Sequence, residues 1–191
     1  VKELGIDLLT MTAHKINGPK GIGALYIAED VLIKPLLYGG EQERKRRPGT
    51  ESVIQIIGFQ KAVELATIEQ EKRHQQYSAY KPQFITELEQ QGIEFMVNGD
   101  PHEQIPSIVN VSFPGTQVEV LLTNFDLEGV AASSGSACTA GSVEPSHVLT
   151  AMYGEDERTV NSVRFSFGLA NTNENVVEAA RRIAKVIKRL K

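Results

Sequence analysis

The sequence predicts an α/β fold that is followed by a smaller α+β unit. Two short apolar runs, residues 6–11 and 22–27, are typical of buried strands. A long stretch with helical periodicity follows them, and after Gly92 short strand-like and helix-like segments alternate. Of the 191 residues, 41% are hydrophobic, which suffices for one core or somewhat more.

The two apolar runs are joined by a turn with glycine and proline, residues 14–21. Such a turn places Lys15 at the exit of a strand rather than on a helix. Residues 34–50 are rich in glycine and arginine and are expected to form an irregular loop.

A linking helix is expected at about residues 51–80, because apolar residues recur there at spacings of three and four: Ile56, Phe59, Val63 and Ala66. Pro82 is expected to break this helix before a helix-like segment, residues 83–91. We therefore place a domain boundary within this stretch. It separates residues 1–60 from residues 61–191, a small α+β domain.

The second domain alternates strands with helices. Its expected strands are residues 93–97, 109–113, 130–132 and 163–167, and its expected helices are residues 117–125, 144–153 and 171–190. Asn171 with Glu174 predicts a capping box for the last helix. Residues 133–143 are nearly all small and polar, which predicts a mobile loop.

Composition excludes several classes of function. The net charge of −4 gives no sign of a nucleic-acid or membrane partner, and no apolar run is long enough to span a bilayer. One cysteine makes no internal disulfide, so the reducing cytoplasm is the expected location. The four histidines show no ligand spacing with that cysteine, so no stable metal site is expected.

The segment from His14 to Gly21 has the composition of a site for an aldehyde cofactor that carries a phosphate. A lysine amine forms a Schiff base, and the nearby Thr12 and His14 offer hydrogen-bond donors. Spacing alone leaves open whether Lys15 or Lys20 is the reactive amine. An ordinary hairpin with a solvated lysine is the alternative interpretation.

Three further residues are candidates for the same chemistry. Thr50, after the Pro48–Gly49 turn, is a better phosphate ligand than the basic residues 44–47, which form a solvated run. Arg164 lies on the strand face opposite Val163, where its guanidinium can bind a carboxylate through two hydrogen bonds. A half-exposed strand arginine without a ligand is the alternative interpretation. Cys138 is more often a packing residue than a nucleophile when its neighbours are ignored.

Several motifs together resemble the cysteine desulfurases of the NifS/IscS type, from about residue 5 to the end of the sequence. The motifs are Thr12–Tyr26, Gly39–Glu43, Arg47–Thr50, Ser133–Cys138 and Val163–Gly168. The resemblance implies the end of the large domain of a fold type I enzyme dependent on pyridoxal 5′-phosphate, followed by the small C-terminal domain. The serine-rich cysteine segment resembles the subgroup with a long mobile loop.

The resemblance also implies roles. Lys15 would bind the cofactor covalently, Thr12 and His14 would hold its phosphate together with Thr50 of the other subunit of a homodimer, and Arg164 would bind the carboxylate of L-cysteine. Cys138 would take the sulfur as a persulfide, release L-alanine, and pass the sulfur to an acceptor, an iron–sulfur scaffold or a tRNA thiolase. The thiol could also contact an iron–sulfur cluster transiently.

Family members carry further residues before the lysine segment, including most of the phosphate cup. This sequence is therefore expected to be the C-terminal half of such an enzyme, inactive by itself. A non-catalytic interaction module derived from a desulfurase and a selenocysteine lyase are the alternatives. An aminotransferase is disfavoured, because it needs no thiol like that of Cys138.

Overall fold

A computed structural model describes residues 1–135 and 145–191 of the chain. Its described residues divide into two compact units, residues 1–70 and 71–191. The domain boundary expected near residue 60 stays a prediction. In the described part of the chain, no helix has both the length and the apolar character needed to cross a membrane.

The first unit contains an antiparallel hairpin of two strands, β1 (Leu8–Thr12) and β2 (Gly23–Ile27). Its register runs from the pair Leu8 and Ile27 to the pair Thr12 and Gly23. Gly23 is required at its position, because a Cβ there would lie 2.7 Å from the carbonyl oxygen of Met11. Both predicted strands are present, but the expectation that they are buried is wrong, because Leu8, Met11 and Leu25 are 49%, 41% and 48% exposed. The hairpin holds the turn that carries Lys15.

The loop after the hairpin is irregular, as its composition predicts. Its one helical segment, α1 (Gln42–Lys45), is a single turn with left-handed backbone at Glu43, Arg44 and Lys45, where φ lies between 50° and 65°. Left-handed residues do not propagate a right-handed helix. The basic run therefore forms a tight turn on the surface.

The long helix α2 spans Val53–Gln90 without a break, so the interruption expected at Pro82 is wrong. Proline removes one backbone hydrogen bond and costs about 3 kcal/mol inside a helix. Tyr80, Phe84 and Leu88 follow one another at spacings of four and are 2% exposed or less. Their burial offsets the cost of Pro82, so the helix extends ten residues beyond its expected end near residue 80.

In its described residues, the second unit contains a three-stranded antiparallel sheet and helices. The strands, in the order β3–β4–β5, are β3 (Met96–Val97), β4 (Ile108–Ser112) and β5 (Ser162–Ser166). The helices after β3 are α3 (Val118–Leu127), α4 (His147–Tyr153), α5 (Arg158–Asn161) and α6 (Asn173–Leu190). Alternation along β4 and β5 places Val109, Val111, Val163 and Phe165 in the core.

Aromatic rings fill the centre of this core. Phe125 of α3 packs against Phe113 and Phe165 with ring centroids 6.1 and 6.0 Å apart, and Phe84 of α2 lies 5.1 Å from Phe165. Helix α6 is fastened to α2 by Arg181, whose Nε donates to the buried carboxylate of Glu87 at 2.9 Å. This hydrogen bond lowers the pKa of Glu87 below its ordinary value.

Three local expectations differ from the structure. Residues 130–132 form no strand; Ser133 alone makes a bridge, to Arg164. Helix α4 begins at His147 after the cap Ser146, later than expected. The cap of α6 is Thr172 paired with Asn175, not Asn171, because the Asn171 side chain accepts a hydrogen bond from the Gly168 N–H instead. The predicted mobile loop lies mostly outside the described residues.

Candidate active site

The turn that carries Lys15 follows directly from strand β1. Residues Ala13–Ile16 form one 3-10 turn, which Gly18 closes by donating its N–H to the carbonyl of Ala13 at 2.8 Å. Asn17 turns the chain with a left-handed backbone, at φ 66°. Ala13 is fully buried, whereas Lys15 is exposed. The backbone of the turn is thus fixed while its amine stays accessible.

Two polar side chains beside Lys15 are joined to each other. Thr12 Oγ1 and His14 Nδ1 lie 3.0 Å apart and share a hydrogen bond, and Thr12 Oγ1 also lies 3.4 Å from the carbonyl oxygen of Ile22. The structure therefore brings the hydroxyl of Thr12 and the imidazole of His14 together next to the residue that carries the amine. Lys20 is also exposed, farther along the same connection.

Helix α2 packs closely against this turn through two small residues, Gly58 and Ala62. A Cβ on Gly58 would lie 2.9 Å from Pro19 Cγ, and a Cβ on Gly18 would lie 2.8 Å from the Cβ of Ala62. Distances under 3.0 Å leave no room for an added carbon. Sequence reasoning missed this contact, although two small residues one helical turn apart, Gly58 and Ala62, were a signal for close packing.

Thr50 follows a turn that is closed by side chains. Arg47 donates to the carbonyl oxygen of Gly49 at 2.9 Å, and the Gln42 amide oxygen accepts from the Gly49 N–H at 3.1 Å. Thr50 is exposed. Within the described residues, no hydrogen bond joins it to Thr12 or His14. Its predicted phosphate contact, from the other subunit of a homodimer, stays a prediction.

Arg164 belongs to the second unit, on strand β5. Its NH1 donates to the carbonyl of Gly135 at 2.8 Å, and its NH2 donates to Ser133 Oγ at 2.9 Å. The backbones of Ser133 and Arg164 also exchange two hydrogen bonds, of 3.1 and 2.7 Å. Sequence reasoning missed these partners, which are about thirty positions away in the chain. Cys138 lies outside the described residues.

The residues of the Lys15 turn fit a cofactor that has an aldehyde and a phosphate. A primary amine reacts with an aldehyde, and a hydroxyl and an imidazole donate to phosphate oxygens. All three group types occur within residues 12–15, at the end of one strand and on an exposed turn. The donor set thus matches both functional groups of pyridoxal 5′-phosphate.

Comparison with known proteins places the chain in a family. The family model for aminotransferase class-V matches residues 1–178, which is most of the sequence. The chain belongs to the aminotransferase class-V family. The class V match extends through both units and includes the Lys15 turn, Arg164 and the segment with Cys138.

Curated relatives within this family carry more specific names. The chain is similar over all its 191 residues to "Putative cysteine desulfurase IscS 1" of Bacillus subtilis, at 53% identity, and to "Cysteine desulfurase IscS" of Dictyoglomus turgidum, at 42%. It covers 50% and 48% of those two proteins. The chain thus spans about half the length of the class V relatives that it matches.

Solved structures agree with the expected fold. The chain superposes on a protein titled "NIFS-like protein" with a TM-score of 0.87 at 28% identity, covering 99% of this chain and 48% of the other. A NifS-like protein from Rickettsia africae gives a TM-score of 0.82 over the same shares. The predicted fold class is therefore confirmed, as part of the fold of NifS-like proteins.

Proposed function

We propose that the protein containing this sequence is a cysteine desulfurase that depends on pyridoxal 5′-phosphate and converts L-cysteine to L-alanine and an enzyme-bound persulfide. The observation that carries the proposal is the set of Thr12, His14 and Lys15 on one exposed turn after β1. The names of the curated relatives support it.

The first unit supplies the residues that hold the cofactor. Lys15 would hold it through Nζ, and Thr12 and His14 would donate to its phosphate, joined by Thr50 of a second subunit. When bound, pyridoxal 5′-phosphate serves as an electron sink for cleavage at the substrate. The amine of Lys15, once free, accepts and returns a proton at Nζ. The packing of Pro19 and Gly18 against Gly58 and Ala62 fixes the backbone of the turn that carries this amine.

The second unit supplies substrate binding and the acceptor of sulfur. The Arg164 guanidinium binds the α-carboxylate of L-cysteine. The thiolate of Cys138 attacks the substrate sulfur, so a sulfur–sulfur bond forms while the carbon–sulfur bond breaks. The carbon fragment takes up a proton and leaves as L-alanine. L-cysteine and the Cys138 thiol thus give L-alanine and the persulfide. The sulfur is oxidised while the substrate carbon is reduced, so no external oxidant is needed.

The persulfide then passes to an acceptor protein, an iron–sulfur scaffold or a tRNA thiolase. Both acceptors would take sulfur from the same persulfide on Cys138, so the sequence does not distinguish between them. The homodimer and the cytoplasmic location stay predictions.

The proposal is tested with the variant Cys138→Ser of the complete protein, loaded with cofactor. The variant is expected to keep the cofactor absorbance and to form no persulfide from L-cysteine, whereas Lys20→Ala is expected to behave as the unmodified protein. Persulfide is measured by alkylation and mass spectrometry, and L-alanine by chromatography. Normal sulfur transfer by Cys138→Ser contradicts the role of the thiol.

Two other results distinguish the alternatives. Release of selenide from selenocysteine, without sulfide from L-cysteine, indicates a selenocysteine lyase. Failure of the complete protein to bind the cofactor at all indicates a non-catalytic interaction module. Either result refutes the proposed desulfurase.

A further inference from the structure

Within residues 71–135 and 145–191, no acidic side chain neutralises the charge of Arg164. No aspartate or glutamate among the described residues forms an ion pair with it. Its Nε is buried and has no hydrogen-bond partner in the described part of the chain. By contrast, Arg158 and Arg181 each hold a carboxylate, at 3.0 and 2.9 Å. A half-buried cation without a counterion is suited to an anionic ligand.

Neutral oxygens hold the Arg164 guanidinium instead. Ser133 Oγ accepts from NH2 at 2.9 Å, and the Gly135 carbonyl accepts from NH1 at 2.8 Å. Neutral acceptors fix the orientation of the guanidinium but leave its positive charge in place. The side chain is thus oriented without being paired, which is the requirement for a residue that must receive a carboxylate in one geometry.

Ser133 is itself fixed in position. Its backbone exchanges hydrogen bonds of 3.1 and 2.7 Å with the backbone of Arg164, along the edge of β5 not paired with β4. The hydroxyl that orients the guanidinium therefore comes from a residue held by the same strand. Among the described residues, the Arg164 guanidinium donates to Ser133 and Gly135 and not to the hydroxyl of the neighbouring Ser134. Ser134 therefore serves as a matched control.

We propose that Ser133 is a positioning residue for Arg164, and that its hydroxyl orients the guanidinium for the α-carboxylate of the amino-acid substrate. The inference rests on the proposed function, which assigns the carboxylate to Arg164. Ser133 acts through Arg164 and touches no reacting atom. Its loss should therefore weaken the binding of carboxylate ligands and leave the chemical step unchanged.

The test compares Ser133→Ala, Ser133→Thr and Ser134→Ala in the complete protein with bound cofactor. Ser133→Ala is expected to raise KM for L-cysteine about tenfold, the effect of one hydrogen bond to a charged group, and to change kcat by less than about twofold. Ser133→Thr keeps the hydroxyl and is expected to restore KM. Ser134→Ala is expected to leave both constants unchanged.

A second measurement isolates the carboxylate. L-alanine and ethylamine differ by that group alone, and the binding of each is followed by the absorbance of the cofactor. Ser133→Ala is expected to weaken L-alanine binding about tenfold and to leave ethylamine binding unchanged. Equal weakening of both ligands would show a general structural defect and overturn the inference.

The failures of the two proposals are distinguishable. If Arg164→Lys weakens L-alanine binding while Ser133→Ala does not, the positioning role of Ser133 is refuted and the proposed function stands. If Arg164→Lys leaves L-alanine binding unchanged, the assignment of the carboxylate to Arg164 fails, and the role of Ser133 fails with it.

Discussion

The described residues of the second unit enclose a cluster of sixteen buried side chains, whereas those of the first unit bury three hydrophobic side chains, Ala13, Phe59 and Ala62. Large apolar side chains of the first unit are instead exposed, with Leu32 at 97% and Leu36 at 94%. Burial of apolar surface is the main stabilising contribution to a fold. The second unit is therefore held by a core.

The first unit is organised by its backbone. A two-stranded hairpin, β1 with β2, is marginally stable by itself, and its turn is fixed by the Gly18 hydrogen bond and by the contact with Gly58. The residues proposed to hold the cofactor lie in this unit, and Arg164 lies in the other. Substitutions at the hairpin turn should therefore alter the position of groups, and substitutions in the core of the second unit should alter stability.

The largest effect is expected from Phe125→Ala. Phe125 is fully buried between Phe113 and Phe165, so its loss leaves a cavity and should lower the free energy of unfolding by about 3–5 kcal/mol. Leu127→Ala in the same helix is the control, because Leu127 is 78% exposed and should cost no more than about 0.5 kcal/mol. Urea denaturation measures both. Equal losses would contradict a core centred on Phe125.

A smaller effect is expected from Gly58→Ala. The added Cβ meets Pro19 and should cost about 1–3 kcal/mol, partly offset by about 1 kcal/mol of better helix propensity. The displaced turn should reduce covalent labelling of Lys15 by the cofactor about fivefold at subsaturating concentration. Gln60→Ala, at an exposed position of the same helix, is the control. Labelling that stays normal in Gly58→Ala would show that the contact between Gly58 and Pro19 does not position Lys15.

The smallest effect concerns pH. Hydrogen bonds from Arg181 and Gln91 lower the pKa of Glu87, so its folded-state pKa lies below its unfolded value of about 4.3. The stability that Glu87 contributes is present above that value and is lost as the pH falls through the lower folded-state pKa. Urea midpoints between pH 7 and pH 3 should therefore decline less steeply in Glu87→Gln than in the unmodified chain. The exposed Glu89→Gln is the control, and identical slopes for all three proteins would contradict the linkage.

Sequence patterns predicted the elements whose periodicity is local. Strands β1 and β2 are where apolar runs indicate strands, and β4, β5 and the buried stripe of α6 are where alternation or helical spacing indicates them. The break at Pro82 was wrong, because the burial of Tyr80, Phe84 and Leu88 depends on residues far along the chain. Tertiary packing thus overrode a local signal.

In the candidate site, too, local contacts were predicted from the sequence and contacts between distant residues were not. The proximity of Thr12 to His14 follows from their adjacency after one strand. The hydrogen bonds of Arg164 to Ser133 and Gly135, and the contact of Gly58 with Pro19, join residues that only the folded chain brings together. Small residues one helical turn apart, such as Gly58 and Ala62, indicate close packing but not the residue that packs there. The positioning residues were therefore missed, while candidates for the reactive residues were predicted.

The most direct test of the central claim is the location of the covalent cofactor. The complete protein is incubated with pyridoxal 5′-phosphate and reduced with borohydride, and its peptides are mapped by mass spectrometry. We expect the adduct on Lys15, and we expect Lys15→Ala to lose the cofactor absorbance while Lys20→Ala keeps it. An adduct on Lys20, or normal absorbance in Lys15→Ala, would contradict the assignment of the Lys15 turn as the cofactor site.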